Sequence, residues 1–322
     1  MNPQTKYQIN NICIFGTGGV GGVFGGKIAH ALDRKKDTIR NVYFIARGAH
    51  LEAIKKKGLI LNTHEERGIL CKPTLATDDI SEIPHPDLYL MCVKGYDLDA
   101  AILTIKKNIK DNTLVIPLLN GVDIYERIRK NLDTGIVLPA CVYIGALIEK
   151  PGVATHAGGP GLIACGKDPN IPDFDPQGVI DFFDDMGIKF TWNDDPFPAL
   201  WQKYVFIAGY GLVTAYTAKT FGEILSDTEL KELVRKVMEE IAAVAQKKGV
   251  KLANTIVADS LQTGNNFPPE TKTSFQRDIE AKAKRNEGDL FGGTIIRLGK
   301  ELGVPTPVTE SIYSKIEESI KN

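Results

Sequence analysis

The sequence lacks the charge imbalance and the long apolar segments that mark nucleic-acid-binding and membrane-spanning proteins. Its 39 Lys and Arg against 40 Asp and Glu give a formal net charge of −1, so no basic field attracts nucleic acid or an anionic membrane. The apolar runs are far shorter than a bilayer span. The polar start MNPQTKYQINN does not have the basic-then-apolar order of a secretory leader. We therefore expect a cytoplasmic protein with no nucleic-acid or membrane partner.

Cysteine is also scarce, and no two cysteines form a C-x-x-C pair. Several lie in apolar, strand-like runs, where buried thiols are usual. We therefore expect neither a disulfide nor a metal site. The five are Cys13, Cys71, Cys92, Cys141 and Cys165.

Glycine, in contrast, is concentrated near the start, in NICIFGTGGVGGVFGGKIAHAL at residues 11–32. This stretch fits two phosphate-binding motifs that overlap at Gly21: the dinucleotide fingerprint G-x-G-x-x-G and most of a P-loop, G-x-x-x-x-G-K. A P-loop needs Ser or Thr after Lys27, to ligate magnesium, but Ile28 follows. The apolar strand also stops at Gly16, five residues too early for a P-loop. We therefore interpret residues 16–21 as a dinucleotide fingerprint, with Lys27 as a solvated helix residue.

The end of the second strand indicates which dinucleotide is bound. NAD-binding units usually end this strand in Asp or Glu, which bonds the ribose 2′-hydroxyl. Here the strand around residues 41–46 ends in Arg47, whose guanidinium suits a 2′-phosphate because it is always charged and has forked donors. The pattern favours NADP. The alternative is that Arg47 is an ordinary surface arginine.

Strand-like and helical segments alternate through the first two thirds of the chain, as a parallel sheet covered by helices requires. We predict helices near residues 51–57, 98–109, 124–130 and 179–186, and strands near residues 59–61, 69–71, 88–93, 114–119, 136–144, 152–156, 162–165 and 189–192.

From Pro198 onward no convincing strand appears, and five amphipathic stretches predict helices instead, at residues 199–213, 230–248, 272–284, 290–302 and 308–320. The length of 322 residues suits two domains. We therefore predict an α/β fold with an N-terminal Rossmann-type doubly wound parallel sheet in residues 1–195 and an all-helical domain for substrate and catalysis in residues 196–322.

Such an arrangement predicts a cleft between the domains, with ligands beyond the carboxyl ends of the strands. Lys94 and Asn120 each end an apolar strand and each precede a glycine, so both are candidates to orient a cofactor. The alternatives are a surface loop lysine and an Asn-Gly turn.

Lys203 lies among apolar residues in the segment LWQKYVFIAGYGLVTA. Desolvation lowers the pKa of a lysine, so a lysine on such a helix is a candidate to pass a proton to an oxygen, as carbonyl reduction requires. The alternative is an amphipathic lysine whose amine extends from a core helix into solvent.

In the order and spacing of these motifs, nearly the whole chain resembles the ketopantoate reductases (2-dehydropantoate 2-reductases). The motifs are the glycine fingerprint, CVK, LLNG, LWQK and SFQRD, with the residues Gly16, Gly18, Gly21, Lys94, Asn120, Lys203, Ser274, Asp278 and Glu287.

The resemblance implies a role for each matching residue. It makes Lys203 the proton donor, and it places Lys94 and Asn120 against the nicotinamide half of NADPH or the substrate. Ser274 is implied to bind the substrate carboxylate, and Glu287 to lie at the cofactor and active site. With the fingerprint, the expected cofactor-binding residues are Gly16, Thr17, Gly18, Gly19, Val20, Gly21, Arg47, Lys94, Asn120 and Glu287, and the expected substrate-binding residues are Asn120, Lys203 and Ser274.

The chain departs from the family pattern beyond Lys203. Family members place asparagines, which meet the pantoyl hydroxyls, where this chain has Ile207, Gly211 and Phe221. Burying a substrate hydroxyl there without a partner costs about 1–3 kcal/mol. Tyr210, Thr214 and Tyr216 are candidate replacement hydroxyls.

A second departure concerns the register near the C-terminal motif. One residue is inserted between Asp278 and Glu287 relative to the usual spacing. From local sequence alone, Ser274 equally begins or caps a helix, and Glu287 equally lies on the surface between two helices.

These residues support an NADPH-dependent 2-oxo acid reductase that converts 2-dehydropantoate to pantoate for pantothenate and coenzyme A synthesis, or acts on a related 2-oxo acid by the same mechanism. A dehydrogenase of 3-hydroxy acids is the alternative enzyme. A non-catalytic NADP-binding sensor is the alternative of another class, although a sensor needs no proton donor. The amphipathic helices can bury their apolar faces either within one chain or between two chains. The sequence therefore leaves the oligomeric state open, and a homodimer is compatible with it.

Overall fold

The computed structural model describes residues 7–282 and 285–321. The described chain forms two compact units. The first comprises the chain up to Leu119 together with Ile124–Pro196, and the second comprises Asn120–Asp123 together with the chain from Phe197 onward. A four-residue segment from the middle of the chain thus belongs with the C-terminal helices.

The strands all lie in the first unit. In chain order they are β1 Asn11–Phe15, β2 Asn41–Ile45, β3 Leu59–Asn62, β4 Ile69–Cys71, β5 Leu75–Thr77, β6 Leu88–Met91, β7 Leu114–Pro117, β8 Ile136–Val137, β9 Ala140–Lys150, β10 Val153–Gly166 and β11 Lys189–Asn193.

The helices occur in both units, the first five in the first unit and the rest in the second. They are α1 Gly19–Lys35, α2 Gly48–Lys57, α3 Leu98–Ile105, α4 Ile124–Asn131, α5 Gln177–Asp185, α6 Phe197–Thr217, α7 Phe221–Ser226, α8 Thr228–Lys247, α9 Ile256–Thr263, α10 Ser274–Glu280, α11 Thr294–Leu302 and α12 Pro307–Lys321.

The first sheet has the strand order β5-β2-β1-β6-β7-β8, with every neighbouring pair parallel. Its central strands are apolar and buried on both faces; the run Ile12–Phe15, for example, is at most 3% exposed. The chain order reverses at β1, and at such a reversal open α/β sheets bind ligands beyond the carboxyl ends of the strands. The predicted Rossmann-type parallel sheet and the all-helical C-terminal region are therefore confirmed.

A second sheet, which we did not predict as separate, has the order β11-β10-β3-β4, with β9 antiparallel to β10. The predicted strand at residues 136–144 is two strands, one in each sheet. Pro139 separates them, because proline lacks the amide that would continue a ladder. Its carbonyl instead accepts a hydrogen bond from the Gly166 amide at 3.0 Å.

Two other strand predictions differ from the structure. The predicted strands at residues 152–156 and 162–165 are one strand, β10, in which the glycine-rich middle is absorbed by register shifts against β9, as in β-bulges. The strand β5 was not predicted because it is only three residues long.

Helix α1 packs against both sheets, and its glycines make this possible. A Cβ at Gly25 would lie 2.9 Å from side-chain atoms of Ile14 and Phe44 in the first sheet. A Cβ at Gly22 would lie 2.7 Å from the Cβ of Ala154 in the second sheet. The glycine run that imitates a P-loop is therefore a helix-packing surface.

Lys27 was predicted to be a solvated residue of this helix; it lies on the helix but is only partly exposed. The residue is half-buried, and this burial lowers the pKa of its amine. The nearby carboxylate of Glu65 acts in the opposite direction and raises that pKa. Its helix is covered by a second sheet, which the local sequence does not reveal.

In the second unit, α6 packs against α8, α9, α10 and α12. Its central residues from Ala208 to Ala215 are buried, so this helix forms the core of the unit. The predicted spans 199–213, 230–248 and 308–320 match the long helices α6, α8 and α12. The predicted span 272–284 contains only the seven-residue α10, and its residues 283 and 284 lie outside the described residues. The span 290–302 is a π-helical segment, Asp289–Gly293, followed by α11.

The helices α7 and α9, of six and eight residues, were not predicted. Local capping nevertheless defines the start of α7. The Thr220 side chain accepts from the Glu223 amide, and the Glu223 carboxylate accepts from the Thr220 amide, which is the reciprocal capping box. Among the described residues, no helix has the length and apolar content needed to cross a bilayer.

We expect Gly22→Val to lower the free energy of unfolding by about 1–3 kcal/mol, because its side chain overlaps Ala154 in a packed core. Urea denaturation measures the change. Arg34→Ala, at an exposed position on the same helix, is the control and should change stability by less than about 0.5 kcal/mol. An unchanged midpoint for Gly22→Val would show that α1 does not approach β10 this closely.

Candidate functional site

The glycine loop of the first unit has a backbone that only glycine allows. Gly16 has φ +95°. A Cβ at Gly21 would lie 2.2 Å from the Gly16 carbonyl oxygen, so any larger residue would break the turn. The Thr17 amide and hydroxyl both donate to the Ile45 carbonyl, at 2.9 and 3.1 Å. Thr17 therefore shapes the loop and joins it to the end of β2.

The start of α1 fits an anionic ligand. Gly18 is the N-cap residue and gives no side-chain cap, so it leaves the first helical amides, at Gly19, Val20 and Gly21, without an intrahelical acceptor. Gly18 is exposed, and no heavy atom lies within 4 Å of where its Cβ would be. Amides at a helix start of this kind bind phosphate groups.

Arg47 lies close in the chain to this loop. It is exposed, two residues beyond Ile45, and it is the N-cap residue of α2. Its side chain is therefore exposed at the turn between β2 and α2.

His50, three residues beyond Arg47, was missed by the sequence reasoning. Its Nδ1 accepts a hydrogen bond from the Gly152 amide at 3.0 Å. Burial lowers the pKa of His50, and a hydrogen bond with the backbone of Thr17 acts in the opposite direction and raises it. His50 thus links α2 to the second sheet beside the glycine loop. The sequence signal that could have pointed to His50 is its place in the first turn of α2, three residues after Arg47.

Lys94 follows β6, the neighbour of β1. A Cβ at Gly16 would lie 3.0 Å from the Cys92 carbonyl and from Val93, so the chain leading to Lys94 passes directly against the glycine loop. Lys94 is half-buried, and its carbonyl accepts from the Asp97 amide at 2.9 Å in a 3-10 turn. Fold topology therefore brings Lys94 and the glycine loop to the same end of the first sheet.

In the second unit, Lys203 and Asn120 are in direct contact. The Lys203 Nζ donates to the Asn120 Oδ1 at 2.9 Å, although the two residues are 83 positions apart. Lys203 is only 9% exposed, so its amine does not extend into bulk water as an amphipathic surface lysine would. The structure therefore holds the lysine amine at a defined point on α6.

Asn120 is held there by its neighbours in the segment Asn120–Asp123. The Asp123 carboxylate, 6% exposed, accepts hydrogen bonds from Thr294 and Arg297 of α11. Arg297 also lies 3.8 Å from the carboxylate of Asp289. This group, Asp123, Asp289, Thr294 and Arg297, is called the clamp below.

The clamp was not predicted. Arg297 is 174 residues from Asp123, and nothing in the local sequence connects them. Only the proximity of Asp123 to Asn120 in the NGVD motif could have suggested that this carboxylate matters.

Glu287 is buried, at 5% exposure, so the alternative of a surface glutamate is wrong. Its carbonyl accepts from the Leu290 and Phe291 amides as the π-helical segment begins. The Tyr204 hydroxyl lies 2.6 and 2.8 Å from the Leu290 and Phe291 carbonyls. Tyr204 follows Lys203 in the chain, so this contact ties the Glu287 segment to α6. π-helical turns are frequent at functional sites.

Ser274 is the first residue of α10, and it is exposed. The cap of this helix is Thr273, whose side chain accepts from the Gln276 amide. Of the two local alternatives, Ser274 therefore begins the helix and does not cap it. The Thr273 hydroxyl also lies 2.8 Å from the Thr214 hydroxyl on α6. Ser274 is thereby attached to the later part of α6, with its own hydroxyl not used as the cap.

The predicted site residues thus form two sets on different compact units. The first unit carries the glycine loop, Arg47 and Lys94, which together provide anion-binding amides and two cations. The second carries Asn120, Lys203, Ser274 and Glu287, which provide an amine, an amide, a hydroxyl and a carboxylate. The first set suits a dinucleotide, and the second suits a carbonyl compound with a carboxylate.

Two family models match most of the chain. The family model described as ketopantoate reductase PanE/ApbA matches residues 12–170, and the one described as ketopantoate reductase PanE/ApbA C terminal matches residues 197–319.

The chain belongs to the ketopantoate reductase family. It is a nicotinamide-dependent oxidoreductase of the type that acts on CH–OH groups.

Individual relatives cover almost the whole chain. An uncharacterized oxidoreductase, YkpB, of Bacillus subtilis (strain 168) is 25% identical, over 94% of this chain and 97% of its own. The crystal structure of a PanE/ApbA family ketopantoate reductase from Ralstonia eutropha JMP134 has a TM-score of 0.86 at 28% identity, covering 97% of this chain and 98% of that one. The crystal structure of 2-dehydropantoate 2-reductase from Porphyromonas gingivalis W83 has a TM-score of 0.80 at 30% identity, covering 96% and 99%.

We expect Arg297→Ala to lower the free energy of unfolding of this ketopantoate reductase homologue by about 1–3 kcal/mol. The substitution leaves the buried Asp123 carboxylate without its cation. Thermal or urea unfolding measures the effect, and Lys300→Ala, on an exposed position of the same helix, is the matched control. If both variants unfold alike, the clamp does not stabilise the Asn120 segment.

Proposed function

We propose that the chain reduces the keto group of a 2-oxo acid with NADPH and that Lys203 donates the proton. The observation that carries this proposal is the hydrogen bond from the Lys203 amine to the Asn120 amide oxygen at a buried position. An ammonium group oriented in this way suits the protonation of an oxygen that gains negative charge during reduction.

The first unit supplies residues that fit NADPH. The amides at the start of α1 suit the pyrophosphate, and the exposed Arg47 suits the 2′-phosphate that distinguishes NADPH from NADH. NADPH supplies the hydride when it is bound. Lys94 is proposed to contact the nicotinamide half of the cofactor or the substrate.

In the second unit, each proposed role follows from a functional group. Lys203 holds a proton toward the keto oxygen and gives it up as the alkoxide forms. Asn120 orients the Lys203 amine, and its own amide group remains a donor for cofactor or substrate. The Ser274 hydroxyl, which does not cap its helix, binds the substrate carboxylate. Glu287 lies on the segment anchored by Tyr204 and completes the polar surroundings of the amine.

Ketopantoate is the substrate that the relatives' names support, and its reduction would give pantoate, a precursor of coenzyme A. A second candidate is a different 2-oxo acid reduced by the same mechanism. The apolar residue Ile207 and the side-chain-free Gly211, which follow Lys203 along α6, favour this candidate because neither has a side chain that can bond a substrate hydroxyl.

Lys203→Ala is expected to reduce turnover at least about 100-fold, the usual range for loss of a general acid. The affinity for NADPH should stay nearly unchanged, because the phosphate-binding residues lie in the other unit. NADPH oxidation measures turnover, and fluorescence titration measures cofactor affinity.

The control for this variant is Gln202→Ala. Gln202 precedes Lys203 on α6 but is exposed, and it should keep normal turnover. If Lys203→Ala retained full turnover, Lys203 would not be the proton donor.

Arg47→Glu is expected to reverse the coenzyme preference from NADPH to NADH, since a carboxylate repels the 2′-phosphate and bonds the ribose hydroxyls. The measurement is the ratio of kcat/KM for the two coenzymes. Arg34→Glu makes the same charge change at an exposed position of α1 and should leave the ratio unchanged. A ratio that does not move in Arg47→Glu removes Arg47 from the phosphate site.

A further inference from the structure

We propose that His50 is a positioning residue for the cofactor: its ring holds the Thr17–Gly18 peptide of the glycine loop in the orientation that leaves the start of α1 open to the pyrophosphate of NADPH. This rests on the proposed function, because it takes the loop to receive a nicotinamide dinucleotide. It adds a residue that the glycine fingerprint does not contain. All the contacts involved lie within the first unit.

The imidazole of His50 is held by the turn between β9 and β10. Its Nδ1 accepts a hydrogen bond from the Gly152 amide at 3.0 Å. A ring nitrogen that accepts a hydrogen bond carries no proton, so the proton of the neutral ring lies on the other nitrogen, Nε2. The contact with Gly152 thus fixes the tautomer of His50 and makes Nε2 a hydrogen-bond donor.

Gly152 is itself fixed between α2 and the second sheet. It has φ +79°, and a Cβ there would lie 2.9 Å from the Cβ of Ala53, which is three residues after His50 on α2. The Gly152 carbonyl accepts from the Ile60 amide of β3 at 2.8 Å. The group that binds Nδ1 therefore has little freedom to move, and it keeps the imidazole ring in one orientation.

The other ring nitrogen, Nε2, is shielded from solvent and faces the glycine loop. Its hydrogen bond with the backbone of Thr17 is loose in geometry. Because Nε2 carries the proton, the Thr17 group that it meets is the carbonyl. A buried N–H group requires an acceptor, so this contact joins His50 to the loop.

The Thr17–Gly18 peptide is therefore held at both of its polar groups. The Gly18 amide donates to the Gly16 carbonyl at 2.9 Å. In a trans peptide the carbonyl points away from the amide, and here it points to His50. The helical ladder of α1 begins one residue later, with the Gly22 amide donating to the Gly18 carbonyl at 2.6 Å. His50 thus binds the carbonyl just before the ladder.

The orientation of this peptide decides whether the loop suits an anion. Gly18 permits a flip of the peptide, because glycine adopts many combinations of φ and ψ and no heavy atom lies within 4 Å of its Cβ position. A flip would turn the Thr17 carbonyl oxygen away from His50 and toward the exposed side of the loop. A carbonyl oxygen repels phosphate, whereas the amides at the start of α1 attract it.

The second sheet also borders the start of α1 directly. A Cβ at Gly19 would lie 2.7 Å from the Ala146 carbonyl oxygen and 2.9 Å from the Leu147 amide nitrogen, both in β9. The strands β9 and β10 form one antiparallel hairpin, and Gly152 lies in its turn. The same hairpin therefore contacts the helix start through Gly19 and fixes the preceding loop through His50.

Two substitutions separate the two contacts of the ring. In His50→Gln the side-chain amide reaches the position of Nε2 and can donate to Thr17, but nothing replaces Nδ1. In His50→Asn the shorter amide replaces Nδ1 as the acceptor for Gly152, but nothing reaches Thr17. Each variant loses one hydrogen bond, and only His50→Asn releases the Thr17–Gly18 peptide.

We expect His50→Asn to weaken NADPH binding about 10-fold, a usual effect of losing one hydrogen bond, while His50→Gln binds with nearly normal affinity. Fluorescence titration with the full chain measures the Kd for NADPH. In an assay with ketopantoate, His50→Asn should raise the KM for NADPH and leave kcat nearly unchanged. Glu52→Ala, at an exposed position of α2, is the control and should keep the wild-type Kd.

Equal loss of NADPH affinity in His50→Asn and His50→Gln would show that His50 only supports the fold. Unchanged affinity in both would show that the Thr17–Gly18 peptide does not need it. Either result overturns this proposal and leaves the proposed function standing, because the wild-type chain still binds NADPH. Failure of the wild-type chain to bind NADPH would overturn the proposed function, and this proposal with it.

The tautomer gives a test on the unaltered protein. In ¹⁵N NMR spectra of the wild-type chain at about pH 7.5, above the ordinary titration range of histidine, we expect the His50 ring to be neutral with its proton on Nε2. The resonances are assigned through the backbone of α2. A proton on Nδ1 would leave no acceptor for the Gly152 amide and no donor for the Thr17 carbonyl, and would overturn the proposal.

Discussion

A buried ammonium group needs a hydrogen-bond acceptor, and the arrangement of the second unit follows from the acceptor that Asn120 gives to Lys203. Desolvating a charge without a partner is strongly unfavourable, so the amide at 2.9 Å from the Lys203 amine makes the buried lysine tolerable. This contact is one of those that join Asn120–Asp123 to the C-terminal helices. The clamp acts in a similar way. Arg297 and Thr294 donate hydrogen bonds to the buried Asp123 carboxylate, and these bonds hold the segment that carries Asn120.

The first unit depends on a different constraint, the close approach of backbone that glycine permits. Gly16 and Gly21 form the turn, while Gly22 and Gly25 let α1 pack on two sheets. Glycine within a helix costs about 1 kcal/mol relative to alanine, and the extra packing area offsets that cost. One glycine-rich stretch therefore forms both the tight turn and a packing surface of the core, which is why its sequence fits two glycine-rich motifs at once.

Sequence motifs nominated several candidate residues, because Lys94 and Asn120 each follow an apolar strand and Lys203 is a charged residue within an apolar helical segment. Lys94, Asn120 and Lys203 could be found in this way. Ser274 and Glu287 came from family resemblance alone, since local sequence allowed a cap for one and a surface position for the other. The structure assigns the cap to Thr273 and buries Glu287. His50 and Arg297 had no motif, because their partners are far away in the chain.

The amino-acid sequence by itself determined the parallel sheet, the helical C-terminal region and the identity of the glycine turn, since apolar periodicity and glycine spacing act over a few neighbouring residues. Only the tertiary structure decided that a second sheet covers α1, that Lys203 meets Asn120 across 83 residues, and that the hydroxyls of Tyr210 and Thr214 are already used. These outcomes depend on which distant groups satisfy one another once water is removed, and no local pattern encodes that choice.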